Sequence, residues 1–126
     1  FPLILQKLHR YFFFFAMAFA VILSYDAVIA FDFDGHLGVG LGTLVLVVNA
    51  ALIWGYTLGC HSCRHIVGGR LRSFSRHPLR YRFWSGVSVL NGKHLQWAWA
   101  SLIWVALTDL YIRLVAAGVI TDVRLF

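Results

Sequence analysis

An all-α integral membrane protein, a bundle of three transmembrane helices with a basic amphipathic cytoplasmic connection, is the fold class this sequence predicts. Three observations predict it. Of the 126 residues, 60% are hydrophobic and only 13% are charged, a balance outside the range of soluble domains. Residues 11–31, 39–58 and 95–119 are each long and apolar enough to cross a hydrocarbon core, which takes about 20 residues of helix. A backbone in lipid must satisfy its own hydrogen bonds, and no evenly spaced strand-like alternation occurs, so helices are the structures left. The chain reads as one membrane-anchor domain over residues 1–126.

The first span, 11–31, is too long and too aromatic for the core of a signal peptide, and no A-x-A pattern follows it, so it is expected to stay in the membrane. A short link, 32–38, leads to the second span. Gly35, Gly38, Gly40 and Gly42 open that span with no strand before them, which excludes a dinucleotide loop. Gly38 and Gly42 instead form a small-xxx-small pattern suited to close helix contact. The second span, 39–58, runs directly into the only two cysteines of the chain.

The connection 59–93 is strongly basic, yet it carries Ile66, Val67, Leu71, Phe74, Leu79, Tyr81, Phe83, Trp84, Val87, Val89 and Leu90. Such a segment suits the headgroup layer, with its arginines toward anionic phosphates, or a docking surface for an acidic soluble partner. Gly68-Gly69 reads as a turn within it. The third span, 95–119, contains Asp109 and Arg113. Charges inside a span are costly and often functional; four residues apart, these two share a helix face and can pair. A structural ion pair is one reading. The other is a proton route from the outside through Asp109 and Arg113, with Asp26 near the outer end of the first span.

Lys7, Arg10, Arg64, Arg70, Arg72, Arg76, Arg80, Arg82 and Lys93 flank one set of span ends. Only Arg113 and Arg124 lie toward the other set, with all five aspartates, Asp26, Asp32, Asp34, Asp109 and Asp122. The positive-inside rule therefore predicts a multi-pass plasma-membrane protein with a cytoplasmic N-terminus and a cytoplasmic connection. Because topology explains the juxtamembrane basic residues, no nucleic-acid partner is expected. No Ser-His-Asp arrangement or metalloprotease helix motif is present, so no catalytic residue of its own is expected.

With that topology, the sulfur and imidazole donors gather at one membrane face. Cys60-His61-Ser62-Cys63-Arg64-His65 closes the second span, His9 opens the first and His94 opens the third, whereas only His36 lies outside. The cytoplasm is reducing, so Cys60 and Cys63 are free to bind metal rather than form a disulfide. If the second helix simply continued, at about 100° per residue, the two cysteines would fall within roughly 60° of each other, with His61 and His65 on another side. Missing ligands would then come from His9 and His94. If Gly59 breaks the helix, His65 or His61 can turn inward. Two thiolates and two imidazoles suit zinc or a Rieske-type 2Fe-2S cluster, whose potential is raised by histidine and coupled to its protonation. That chemistry serves transfer of electrons to a quinone. The competing reading makes the cysteines small apolar fillers.

Three spans with this histidine cluster, Leu8-His9-Arg10, and Gly59-Cys60-His61-Ser62-Cys63-Arg64-His65 together resemble the SdhC-type membrane anchor subunit of actinobacterial, particularly mycobacterial, succinate dehydrogenase. The resemblance implies a subunit of respiratory complex II, with a flavoprotein subunit and an iron–sulfur subunit as partners, and a membrane-embedded Rieske-type cluster feeding menaquinone or ubiquinone. It places the cysteine ligands on Cys60 and Cys63 and leaves the histidines to be ranked, His9 and His94 before His65. In the wider family a His-Arg pair opens the first helix and its arginine lines the quinone pocket, a pattern that Arg10 matches. Tyr56, Arg64, Trp84 and Trp97 are the further quinone-binding candidates near that face, since quinones need donors at their carbonyls and an apolar wall. Two rival readings are a haem b anchor, with His9, His65 or His94 as axial ligands, and a zinc-stapled tether without redox chemistry.

Overall fold

The computed structural model describes residues 2–68, 73 and 75–125. Gly69, Arg70, Leu71, Arg72 and Phe74, which the sequence assigns to the turn and the basic connection, lie outside the described residues. The elements run α1 (Pro2–Ile29), β1 (Asp32–Phe33), β2 (His36–Leu37), α2 (Leu41–Leu58), α3 (His61–Gly68), α4 (Pro78–Gly92) and α5 (His94–Ala116). Three of these helices, over Leu3–Ile29, Leu41–Leu58 and His94–Ala116, are long and apolar enough to cross a membrane. The expected helical membrane bundle is therefore the observed one.

Helix α1 starts nine residues before the predicted first span, and the difference has a simple cause. Leu3, Ile4, Leu5 and Leu8 are good helix formers, so the helix runs through Lys7, His9 and Arg10 without interruption. His9 therefore sits inside a helix rather than at its mouth. The connection is likewise structured: α3 and α4 pack on each other, and α4 also reaches α2. Pro78 occupies the first turn of α4, where its missing N–H costs nothing.

Helix α2 is the centre of the bundle, packed between α1 on one side and α5 on the other. In lipid, association relies on close packing and hydrogen bonds rather than on hiding apolar surface. Apart from Phe13, the buried residues of the three spans fit that rule: Ala20, Ala27, Thr43, Asn49, Ala50, Thr57, Ser101 and Thr108, with Thr43, Thr57 and Ser101 the largest that are fully buried. Phe12, Phe15, Phe19, Trp99, Leu102 and Leu107 are exposed, as lipid-facing side chains should be. The indole of Trp54 donates to Ser24 Oγ at 2.8 Å and that of Trp104 to the Val45 carbonyl at 3.0 Å, tying α2 to α1 and α5.

The expectation of close helix contact at Gly38 and Gly42 changes in three dimensions. Gly42 faces the carboxylate of Asp122, 3.0 Å from where a Cβ would stand, and not another helix. The close helix approach is at Gly55 instead, where a Cβ would lie 2.6 Å from the Trp97 ring. The link 32–38, which the sequence left without structure, is a two-residue hairpin pairing Asp32 with Leu37 and Phe33 with His36. Its turn residues Asp34 and Gly35 take φ of 53° and 84°, the left-handed pair that Asp-Gly supplies in tight hairpins.

Candidate metal centre

The site begins with a break in the backbone. Helix α2 ends at Leu58 and α3 begins at His61, with Gly59 between them. A side chain at Gly59 would meet the Gly55 carbonyl at 2.9 Å and the Leu90 carbonyl at 3.0 Å. Asn91 Nδ2 on α4 donates to the Gly59 carbonyl at 2.8 Å, holding the connection against the break. Helix α3 then starts afresh, with the Arg64 N–H donating to the Cys60 carbonyl at 3.2 Å. The break swings His61 toward α1.

There it meets His9. His9 Nε2 lies 3.0 Å from Cys60 Sγ, a hydrogen-bond distance, and the His9 and His61 rings stack with centroids 5.0 Å apart at 7°. One donor atom from each of His9, Cys60 and His61 falls within 4.8 Å of the others. Cys60 is buried, His9 half-buried and His61 exposed. Cys63 is also buried and belongs, with Cys60, Phe13 and Val87, to one apolar cluster. Both cysteines are free thiols.

Charge at the site is tuned toward neutral donors. His61 is held below the usual imidazole value of 6.5, first by burial and then by the charges of His9, Arg10 and His65. Burial pushes the Cys63 thiol up, with Cys60 adding to the effect. The five aspartates are at the opposite end of the spans or in the acidic half of α5, so no carboxylate is at hand to hold a proton on the imidazoles. Neutral imidazoles offer lone pairs, whereas the raised thiol must give up its proton before it can bind a cation.

The other predicted ligands flank this group. His94 stacks on Tyr56 with centroids 4.8 Å apart at 12°, within electrostatic reach of His9 and His61; its Nδ1 is buried without a partner. His65 lines a cavity of about 280 Å³ with Leu3, Lys7, Arg10, His61 and Ser62. The sequence reading ranks His9 and His94 before His65 and names His61 only beside His65, as a histidine that a break at Gly59 could turn inward; the structure has that break, and it is His61 that joins His9 and Cys60.

The quinone-binding candidates are divided. Arg10 lines the cavity beside His61, and Tyr56 lines a second cavity, of about 50 Å³, with His9, Phe12, Phe13, Ala16, Thr57 and Cys60. Arg64 lies over the Trp84 ring, 4.8 Å from its centroid, and its Nε donates to Ser88 at 2.9 Å. Trp97 is packed against Gly55. Asp109 and Arg113 form an ion pair at 2.8 Å with both side chains mostly exposed. The pair is about 22–28 Å along α5 from His94 at 1.5 Å per residue, and Asp26 is exposed on α1.

Residues 1–118 match the sequence model of a family described as actinobacterial succinate dehydrogenase subunit SdhC. The chain belongs to this family. Its structure is similar to a chain of the Mycobacterium smegmatis Sdh1 complex in the apo form, at 52% identity and a TM-score of 0.90. That match covers 100% of the present chain and 48% of the other, so the chain spans about half the length of the one it resembles. No curated protein matches it.

Proposed function

We propose that this chain is the part of a succinate dehydrogenase membrane anchor that relays electrons from an iron–sulfur subunit toward menaquinone or ubiquinone. The observation that carries the reading is the convergence of His9, Cys60 and His61 within 4.8 Å, with Cys63 buried in the same apolar cluster as Cys60. Two sulfur and two nitrogen donors fit a Rieske-type 2Fe-2S cluster. Cys60, Cys63, His9 and His61 would hold it. When bound, such a cluster supplies one-electron transfer at a potential raised by its imidazole ligands.

The residues of this chain supply the setting. Phe13, Met17, Leu58, Val67 and Val87 shield the thiol side from water, which strengthens electrostatic interactions there. The exposed imidazole of His61 opens into the cavity lined by Lys7, Arg10 and His65. A quinone headgroup there would find in Arg10 a cationic donor for a carbonyl oxygen, and in Leu3 an apolar wall. The same positive charges favour a substrate that gains negative charge on reduction. By the positive-inside rule this end faces the cytoplasm, where the soluble flavoprotein and iron–sulfur subunits would dock.

Low-temperature electron paramagnetic resonance of the dithionite-reduced complex tests the reading. A Rieske-like signal that disappears in Cys60→Ala is expected. A signal that survives the substitution contradicts the ligand proposal; one zinc per chain with no iron beyond that of the soluble subunits supports the zinc-stapled tether, and a Soret band supports the haem b anchor.

A further inference from the structure

Helix hydroxyls in a membrane ordinarily turn back on their own backbone. This chain does so repeatedly: in the spans Ser24 donates to the Ala20 carbonyl at 2.7 Å, Thr108 to Trp104 at 2.8 Å and Ser101 to Ala98 at 3.1 Å, and on α4 of the connection Ser88 donates to Trp84 at 2.7 Å. Thr43, as deeply buried, donates to the Ala30 carbonyl at 2.6 Å. Thr57 breaks the pattern. It is 2% exposed, yet its Oγ1 has no hydrogen-bond partner. A buried hydroxyl left unmatched costs free energy.

Where the hydroxyl sits gives its purpose. Thr57 precedes Cys60 by three residues, one helical turn, and lines the cavity of about 50 Å³ that His9, Cys60 and Tyr56 also line. The remaining walls are Phe12, Phe13 and Ala16, which offer nothing to a hydroxyl. The other polar residues lining this space are therefore His9, Cys60 and Tyr56. From this placement we infer that the Thr57 hydroxyl is a hydrogen-bond donor to the sulfur of the centre held by Cys60, positioning and tuning that centre rather than supporting the helix.

The inference rests on the proposed iron–sulfur reading. Hydrogen bonds to cluster sulfurs favour the reduced, more negative state and so raise its potential. In the assembled succinate dehydrogenase complex, Thr57→Val keeps the volume and removes the donor. A redox titration followed by electron paramagnetic resonance is expected to show the reduced-to-oxidised ratio of the centre falling about tenfold at fixed poise, or about 59 mV for one electron. Thr57→Ser, which restores the hydroxyl, is expected to return the ratio to within about twofold of the unaltered protein.

Recovery of the chain with its partner subunits is expected to be unchanged in Thr57→Val, because the variant loses an unmatched polar group and no contact. A retained signal with an unshifted potential overturns the inference. So does failure of both Thr57→Val and Thr57→Ala to assemble, which would make Thr57 a packing residue. Absence of any centre in the unaltered complex would instead defeat the underlying functional reading, and is thereby distinguished.

Discussion

The two ends of the bundle treat their polar groups in opposite ways. At the acidic end, polar groups are matched within the chain. Asp122 accepts the Gly42 N–H at 2.9 Å and the Tyr111 hydroxyl, Asp32 accepts the Gly35 N–H at 2.8 Å, and Arg124 lies over the Phe33 ring. The Leu41 N–H donates to Val123 and the Leu125 N–H to Val39, both at 2.8 Å, so the tail after α5 is stitched to the start of α2. At the basic end, Thr57 Oγ1 and His94 Nδ1 are buried without partners, and imidazoles stack face to face with a thiol alongside. Matched groups hold a fold together, whereas a buried polar group without a partner calls for an explanation; among the described residues Asn49 Oδ1, in the middle of α2, is a third such group.

Four substitutions break or sharpen this contrast. Cys60→Ala strikes the unmatched end and should have the largest effect: loss of the reduced-state resonance and a fall of about 100-fold or more in succinate-to-quinone turnover, beyond the 10–100-fold that supporting residues around a metal carry. Next, Gly55→Val drives a side chain into Trp97, whose ring lies 2.6 Å from where the added Cβ would stand; overpacking of this kind costs about 1–3 kcal/mol. Thermal denaturation of the detergent-solubilised complex should report it, with the resonance line shape preserved in the folded fraction.

At the matched end, Asp122→Ala removes the acceptor of two hydrogen bonds. A loss of about 1 kcal/mol is expected, because the site is exposed and water takes over part of the role. It should lower the melting temperature while leaving the reduction potential of the centre unmoved, and a shifted potential would show that the two ends are coupled. The smallest effect belongs to Asp109→Asn. If the Asp109–Arg113 pair at 2.8 Å is structural, turnover and proton uptake stay within about twofold, in keeping with the small worth of exposed i,i+4 pairs. A larger drop in proton uptake would instead establish the proton route.

Much of the bundle is legible because lipid imposes a length and a composition that a sequence cannot disguise. The second span reads almost as it folds, 39–58 against Leu41–Leu58, and the third closely, 95–119 against His94–Ala116. The start of the first does not, since hydropathy marks where a helix meets lipid and α1 extends beyond that point to Pro2. The hairpin at Asp34-Gly35 carries a turn signal of its own, which hydropathy does not register. The tie between Asp122 and Gly42 spans 80 positions and leaves no local trace.

The sequence by itself determined the helical membrane class, the uneven placement of basic and acidic residues, and the gathering of Cys60, Cys63 and several histidines at one end, because composition, length and spacing are local properties. That His61 joins His9 and Cys60 was decided only in three dimensions. Gly59 must be bare to let the Gly55 and Leu90 carbonyls approach, and Asn91 must reach across to hold its carbonyl. The direction of a chain after a break depends on what packs against it, and that is a property of the assembled helices.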